Sequence, residues 1–127
     1  MRLEGPVTQV ARSQQTVYAA VNDVEKYKDY MPSAVSSFAT GEDYFTIGGM
    51  PEIKMVRSVA EPFSRVVFAT PMGAKISLEV RIEALSDEQS SVQVAIEADV
   101  NPMLRMMVER PLRRFLEDLS EKIGQVK

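Results

Sequence analysis

Two neighbouring stretches of strict alternation constrain this chain most. Ile76, Leu78, Val80 and Ile82 alternate with Ser77, Glu79, Arg81 and Glu83. Val92, Val94, Ile96, Ala98 and Val100 alternate with Gln93, Ala95, Glu97 and Asp99. A strand points successive side chains to opposite faces, so each stretch has one dry face and one wet face. The residues between them, Ser86-Asp87-Glu88, are turn formers. The pair therefore reads as a hairpin in an antiparallel sheet that is solvated on its outside. Ile76, Leu78, Val80, Val94 and Ile96 are expected to be buried, and Glu79, Arg81 and Glu97 exposed.

A sheet with one dry face must cover it. Only the last segment is long enough to do so. Asn101 is a helix N-cap and Pro102 stands at the first helical position, where a missing N–H is harmless. Leu104, Val108, Leu112, Phe115, Leu119 and Ile123 then form a stripe at helical spacing. A helix over 101–123 spans about 33 Å. Phe115 and Leu119 sit mid-stripe and are expected to grip the sheet. Pro111 deprives the Met107 carbonyl of its partner, so a kink is expected near Met107–Arg110.

The rest of the chain fits the same scheme. Arg2 to Ala11 reads as a first strand with an irregularity at Gly5-Pro6. Ser13 caps a helix starting near Gln14, whose apolar face is Val17, Tyr18 and Val21. Asn22-Asp23 interrupts it, and a second short helix runs from Val24 to Met31, stopped by Pro32. Strands follow at about 34–40, 43–48, 53–60, 65–70, 75–84 and 91–99, separated by turns such as Gly48-Gly49 with Pro51, and Pro71 with Gly73. The expected class is α+β: a curved, seven-stranded antiparallel sheet wrapped around one long C-terminal helix, with two short helices after the first strand. At 127 residues this is one domain, 1–127.

Composition removes whole classes of chemistry. The chain has no cysteine and no histidine. That excludes disulfides, thiolate and Ser–His–Asp catalysis, and the commonest metal sites, so no metal and no cofactor is expected. A net charge of −3 argues against a nucleic-acid partner. No apolar run is long enough for a membrane span, and residues 1–10 lack a signal-peptide core, so the expected location is the cytoplasm. Glu79, Glu83, Glu97 and Asp99 alternate onto the wet face, which leaves no carboxylate pair for glycosidase-like work. Arg105, Arg110, Arg113 and Arg114 stand among acidic residues at i,i+4, the pattern of a solvated helix face.

The order of elements, with SQQTVYAAVNDVEKYKDYMP early and NPMLRMMVERPLRRFLEDLSEKI late, resembles the SRPBCC superfamily, also called START-like or helix-grip. The likeness is to its small polyketide cyclase and coenzyme-Q-binding members. It implies a cavity between sheet and C-terminal helix. Within that frame the candidate ligand-binding residues are Phe45, Met55, Arg57 and Phe68 on the strands, and Met103, Leu104 and Met107 on the helix. Methionines suit an adaptable wall, although each also serves as core filler. Arg57 shares a strand face with Ile53, Met55 and Val59, and an arginine facing a dry cavity needs an anion, so an amphipathic anion such as a fatty acid is expected. No catalytic residue is assigned. The expected function is non-catalytic binding or transport of a small hydrophobic or amphipathic molecule, such as a lipid, isoprenoid or polyketide. The alternative is a protein-interaction module of the co-chaperone or ribosome-associated kind, with a protein partner. A cyclase- or aromatase-like enzyme stands behind both.

Overall fold

The computed structural model describes residues 1–31, 38–47, 53–71, 76–99 and 101–125. Pro32, positions 34–37 of the expected second strand, the Gly48-Gly49 turn with Met50 and Pro51, Met72, Gly73, Lys75 and Val100 lie outside them. In chain order come β1 (Arg2–Glu4), β2 (Thr8–Val10), α1 (Gln14–Asn22), a single turn of 3-10 helix (Val24–Lys26) and α2 (Tyr27–Tyr30). Then follow β3 (Phe38–Thr40), β4 (Tyr44–Ile47), β5 (Ile53–Glu61), β6 (Arg65–Ala69), β7 (Ile76–Ser86), β8 (Gln89–Ala98) and α3 (Pro102–Ile123). The antiparallel sheet has the order β1-β8-β7-β6-β5-β4-β3, and β2 also pairs with β8. The meander and the long final helix are those expected.

The β7–β8 hairpin has the register that the alternation requires. Leu78 faces Ile96, Val80 faces Val94 and Ile82 faces Val92, and all six are buried. Ile76 is half-buried, while Arg81 and Glu97 are exposed. Glu79 departs from expectation. It lies on the wet face, yet its side chain is only 12% exposed, because Arg2, Arg65 and Arg81 close on it at 2.8, 3.2 and 3.2 Å. The hydrogen bond to Glu79 in turn holds the Arg2 guanidinium more firmly protonated than usual.

The strand expected over 2–11 is two strands. Glu4 pairs with Ala95 and Thr8 with Val92, so this edge carries one residue more than β8 does. The irregularity falls at Gly5, whose N–H still bonds the Val94 carbonyl at 2.7 Å. Here α3 comes down on the sheet. A Cβ at position 5 would stand 3.1 Å from Ser120 Oγ and from the Val94 carbonyl oxygen, and 3.4 Å from Leu116 Cβ. That approach favours glycine, since any Cβ would push its neighbours back by a few tenths of an ångström.

This seat turns α3 away from the expected stripe. The helix buries Leu116, Leu119, Ser120 and Ile123, while Phe115, expected mid-grip, is only half-buried. Leu116 follows Phe115 directly, so the contact face is rotated toward Gly5. The caps are as expected: Asn101 Oδ1 accepts from the Leu104 N–H at 2.9 Å, and Ser13 Oγ from the Thr16 N–H at 3.2 Å. The helix continues through Pro111.

The other side of the core is aromatic. Tyr27 is fully buried, stacks on Phe45 at 5.0 Å and meets Phe68 edge-on at 5.1 Å. Its hydroxyl donates to the Val21 carbonyl at 2.6 Å, and the Tyr30 hydroxyl to the Ala20 carbonyl at 3.4 Å. Both phenols thus satisfy carbonyls that the end of α1 leaves free.

Two predictions follow from this packing. Leu119→Ala should destabilise by about 2–5 kcal/mol and Gly5→Val by about 1–3 kcal/mol, whereas Phe115→Ala should stay below about 2 kcal/mol. Urea denaturation reads all three, and a reversed order of Leu119 and Phe115 contradicts this seat. The second concerns pH. Burial, then Tyr30 beside it, pushes the Tyr27 phenol up; burial, then Asp29 and Asp23, pushes Tyr30 from 10.0 to about 12. The unfolded chain ionises these groups first, so their contribution is complete below pH 10.0 and is lost as pH climbs toward about 12. Denaturation at stepped alkaline pH should show this loss, reduced in Tyr30→Phe; a flat profile contradicts it.

Candidate functional site

Where the seated end of α3 gives way to its middle, the helix crosses the central strands with a gap beneath it. The gap is a cavity of about 220 Å³. Its floor is Phe45 and Met55, paired across β4 and β5, with Leu78 and Ile96, paired across β7 and β8. Ile47, Ile53 and Ile76 form its strand-side walls, and α3 contributes Leu112 and Phe115. The floor residues are buried and the wall residues half-buried. None of these side chains carries a nitrogen or an oxygen.

The cavity exists because of side-chain registry. Period two puts Phe45, Ile47, Ile53, Met55, Ile76, Leu78 and Ile96 on one face of four strands. The rotation of α3 toward Gly5 then withholds the bulk that would fill the space. What reaches in is one leucine and the ring of Phe115.

Of the residues singled out from sequence, Phe45 and Met55 line this cavity. Phe68 lies beside it in the core, fully buried and 5.0 Å from the Phe45 ring. Met103, Leu104 and Met107 are not brought to it. They are 83%, 45% and 73% exposed, because the half of α3 that carries them extends past its seat.

Arg57 also has a different assignment. It pairs with Phe68 across β5 and β6, next to a bulge that separates it from Val59. Period two does turn it inward. Its guanidinium, however, donates to the Asn22 carbonyl at the end of α1, with its carbon 5.9 Å from the Phe68 ring centre. A cation at a helix C-terminus satisfies a free carbonyl and opposes the helix dipole. With Tyr27 and Tyr30 on the two preceding carbonyls, these three side chains finish α1, while the buried Arg57 Nε has no partner among the described residues. They do not line the cavity.

Sequence reasoning missed Leu112 and Phe115 as cavity residues. Their signal was the adjacency of two apolar residues, Phe115 and Leu116, of which only one can face the seat. It also did not gather Ile47, Ile53, Ile76, Leu78 and Ile96 into one wall, although their alternation was legible. Among the described residues no cluster of acidic side chains could hold a metal ion, and no helix is long and apolar enough to cross a membrane.

The cavity can hold matter that gains by leaving water and asks for no hydrogen bond. An apolar cavity of about 150 Å³ can hold a benzene ring, and pockets for drug-sized ligands begin at about 300 Å³. One aromatic ring or a short branched chain fits the range between.

Comparison with known proteins places these features. Residues 10–123 match the family described as polyketide cyclase / dehydrase and lipid transport. No curated protein matches the chain by sequence. Among solved structures, a START superfamily protein from Mycobacterium smegmatis is similar over 99% of both chains, with 13% identity and a TM-score of 0.69. Norcoclaurine synthase from Thalictrum flavum, in complex with dopamine and hydroxybenzaldehyde, is similar over 98% of this chain and 84% of its own, with 12% identity and a TM-score of 0.72. A conserved protein from Geobacillus kaustophilus is similar over 98% of this chain and 93% of its own, with 14% identity and a TM-score of 0.71. At such identities the likeness is one of fold.

The Arg57 assignment is testable. Arg57→Met removes a charged hydrogen bond to the end of α1 and should cost about 1.5–3 kcal/mol. The affinity for a neutral apolar probe should be unchanged. A variant of full stability with altered probe affinity contradicts the assignment.

Proposed function

The chain belongs to the polyketide cyclase / dehydrase and lipid transport family, and from that premise we propose that it binds a small, neutral, apolar molecule in the cavity under α3, without catalysis. The observation that carries this reading is the chemistry of the lining. Every described wall and floor side chain is apolar, so burial of hydrocarbon is the attraction available, at roughly 25 cal/mol per Å² removed from water.

The same lining narrows the ligand. Arg57 gives one guanidinium nitrogen to the Asn22 carbonyl and keeps a buried, unpartnered Nε–H, but it is not part of the lining, so a carboxylate held within the cavity would be desolvated without a partner. A neutral ring or branched chain therefore fits better than the fatty-acid anion that an inward arginine suggested. An enzyme of this fold needs a group to move a proton or polarise a carbonyl. Here the buried phenols of Tyr27 and Tyr30 already donate to α1 carbonyls, which favours a carrier over a cyclase. We read residues 1–127 as one domain, and the absence of cysteine suits the cytoplasm.

Thermal melts with toluene, indole and a short-chain fatty acid test the proposal. The two neutral probes should raise Tm with concentration, as ligands of the native state do, and the fatty acid should not. Leu112→Trp fills the cavity from its half-buried wall. It should abolish the toluene shift while leaving the unliganded Tm within a few degrees. If no neutral probe shifts Tm, or if Leu112→Trp leaves the shift intact, the cavity is not a binding site.

A further inference from the structure

The free half of α3 wears its apolar residues on the outside. Met103, Met106 and Met107 are 83%, 85% and 73% exposed. With Arg110 and Arg114 they stand at i, i+3, i+4, i+7 and i+11, which is one continuous stripe along a helix. At 100° per residue it points away from the face carrying Leu116, Leu119 and Ile123. All five stripe residues are exposed. A globular protein rarely leaves such a run uncovered without a use for it.

Charge accompanies the methionines. Pro102–Arg114 contains Arg105, Arg110, Arg113 and Arg114 against the single acid Glu109. This stretch is thus positive in a chain whose net charge is −3. Of the five opposite-charge i,i+4 pairs that the sequence offers along α3, the described residues form one, Glu109–Arg113 at 3.9 Å. The rest of this basic cluster faces water.

We propose that this stripe docks on the surface of an anionic phospholipid bilayer. Met103, Met106 and Met107 enter the boundary between headgroups and acyl chains, and the arginines stay at the level of the phosphates. The charge decides among occupants. A second copy of the chain, related by a two-fold axis, would bring together two segments that each carry four arginines and one acid. A folded acidic protein would need a broad complementary surface, about 800 Å² on each side, whereas this stripe is one narrow convex helix. A fluid bilayer needs no matching shape. Docking does not require an occupied cavity, so it stands or falls apart from the ligand reading.

Co-sedimentation of the full chain with vesicles tests this. The chain should pellet with phosphatidylglycerol-containing vesicles, should not pellet with pure phosphatidylcholine, and should be released by salt. Arg110→Gln with Arg114→Gln should weaken partitioning roughly twenty-fold, at about five-fold per arginine. Met103→Ser, Met106→Ser and Met107→Ser together should weaken it roughly ten-fold or more, with an unchanged thermal melt. No binding, equal binding to neutral vesicles, or an unaffected methionine variant overturns the proposal. So does poly-glutamate binding as tight as vesicle binding, which points to an acidic protein partner. A dimer in sedimentation equilibrium that the methionine variant dissociates assigns the face to a second copy instead.

Discussion

The contact of α3 with Gly5 governs this structure. A helix brought so close to the sheet that a Cβ beneath it would stand 3.1 Å from Ser120 Oγ and from the Val94 carbonyl oxygen is constrained in rotation as well as in height. Leu116, Leu119, Ser120 and Ile123 are turned into the contact. Phe115, on the flank of that face, and Leu112, one turn before Leu116 on the same face, reach over the central strands, and Met103, Met106 and Met107 face water. One glycine at a one-residue irregularity thus divides a single helix into a seat, a cavity roof and a free basic stripe. The cavity follows from the same contact, since a helix anchored over β1, β2 and β8 cannot also fill the concave face above β4 and β5.

A second constraint keeps that cavity dry. Helix α1 ends inside the protein, so its last carbonyls need donors. Tyr30, Tyr27 and Arg57 serve Ala20, Val21 and Asn22 in turn. These polar side chains end a helix and do not line the cavity. The fold also occurs in norcoclaurine synthase. The SRPBCC assignment and the helix-grip architecture are shared with the family, and the cavity of this chain has an apolar lining.

Much of the fold was legible in the sequence because strand alternation and helix caps are local. Ser13, Asn22-Asp23, Asn101-Pro102 and the two long alternating stretches each declare themselves within a few residues. Gly5-Pro6 also marked its irregularity, although not that a helix would rest on it. The site was less legible, because its determinants are contacts between distant segments. Phe115 and Leu116 are equally apolar, and only Gly5, more than a hundred positions away, selects between them. The alternation of Arg57 with Ile53 and Met55 was legible, but its partner is a backbone carbonyl, and no side-chain pattern reveals where a carbonyl is left free. Met103 and Met107 have good helical spacing, but spacing cannot tell how far a sheet reaches beneath a helix.

The central claim is that the space under α3 is a binding cavity roofed by Leu112 and Phe115 and separate from the exposed methionines. Methyl-resolved NMR during a toluene titration tests it most directly. The account predicts saturable shifts at Met55, Ile47, Ile53, Ile76, Leu78, Ile96 and Leu112, with Met103, Met106 and Met107 unmoved. Shifts confined to those three methionines, or none at Met55 and Leu112, would contradict it.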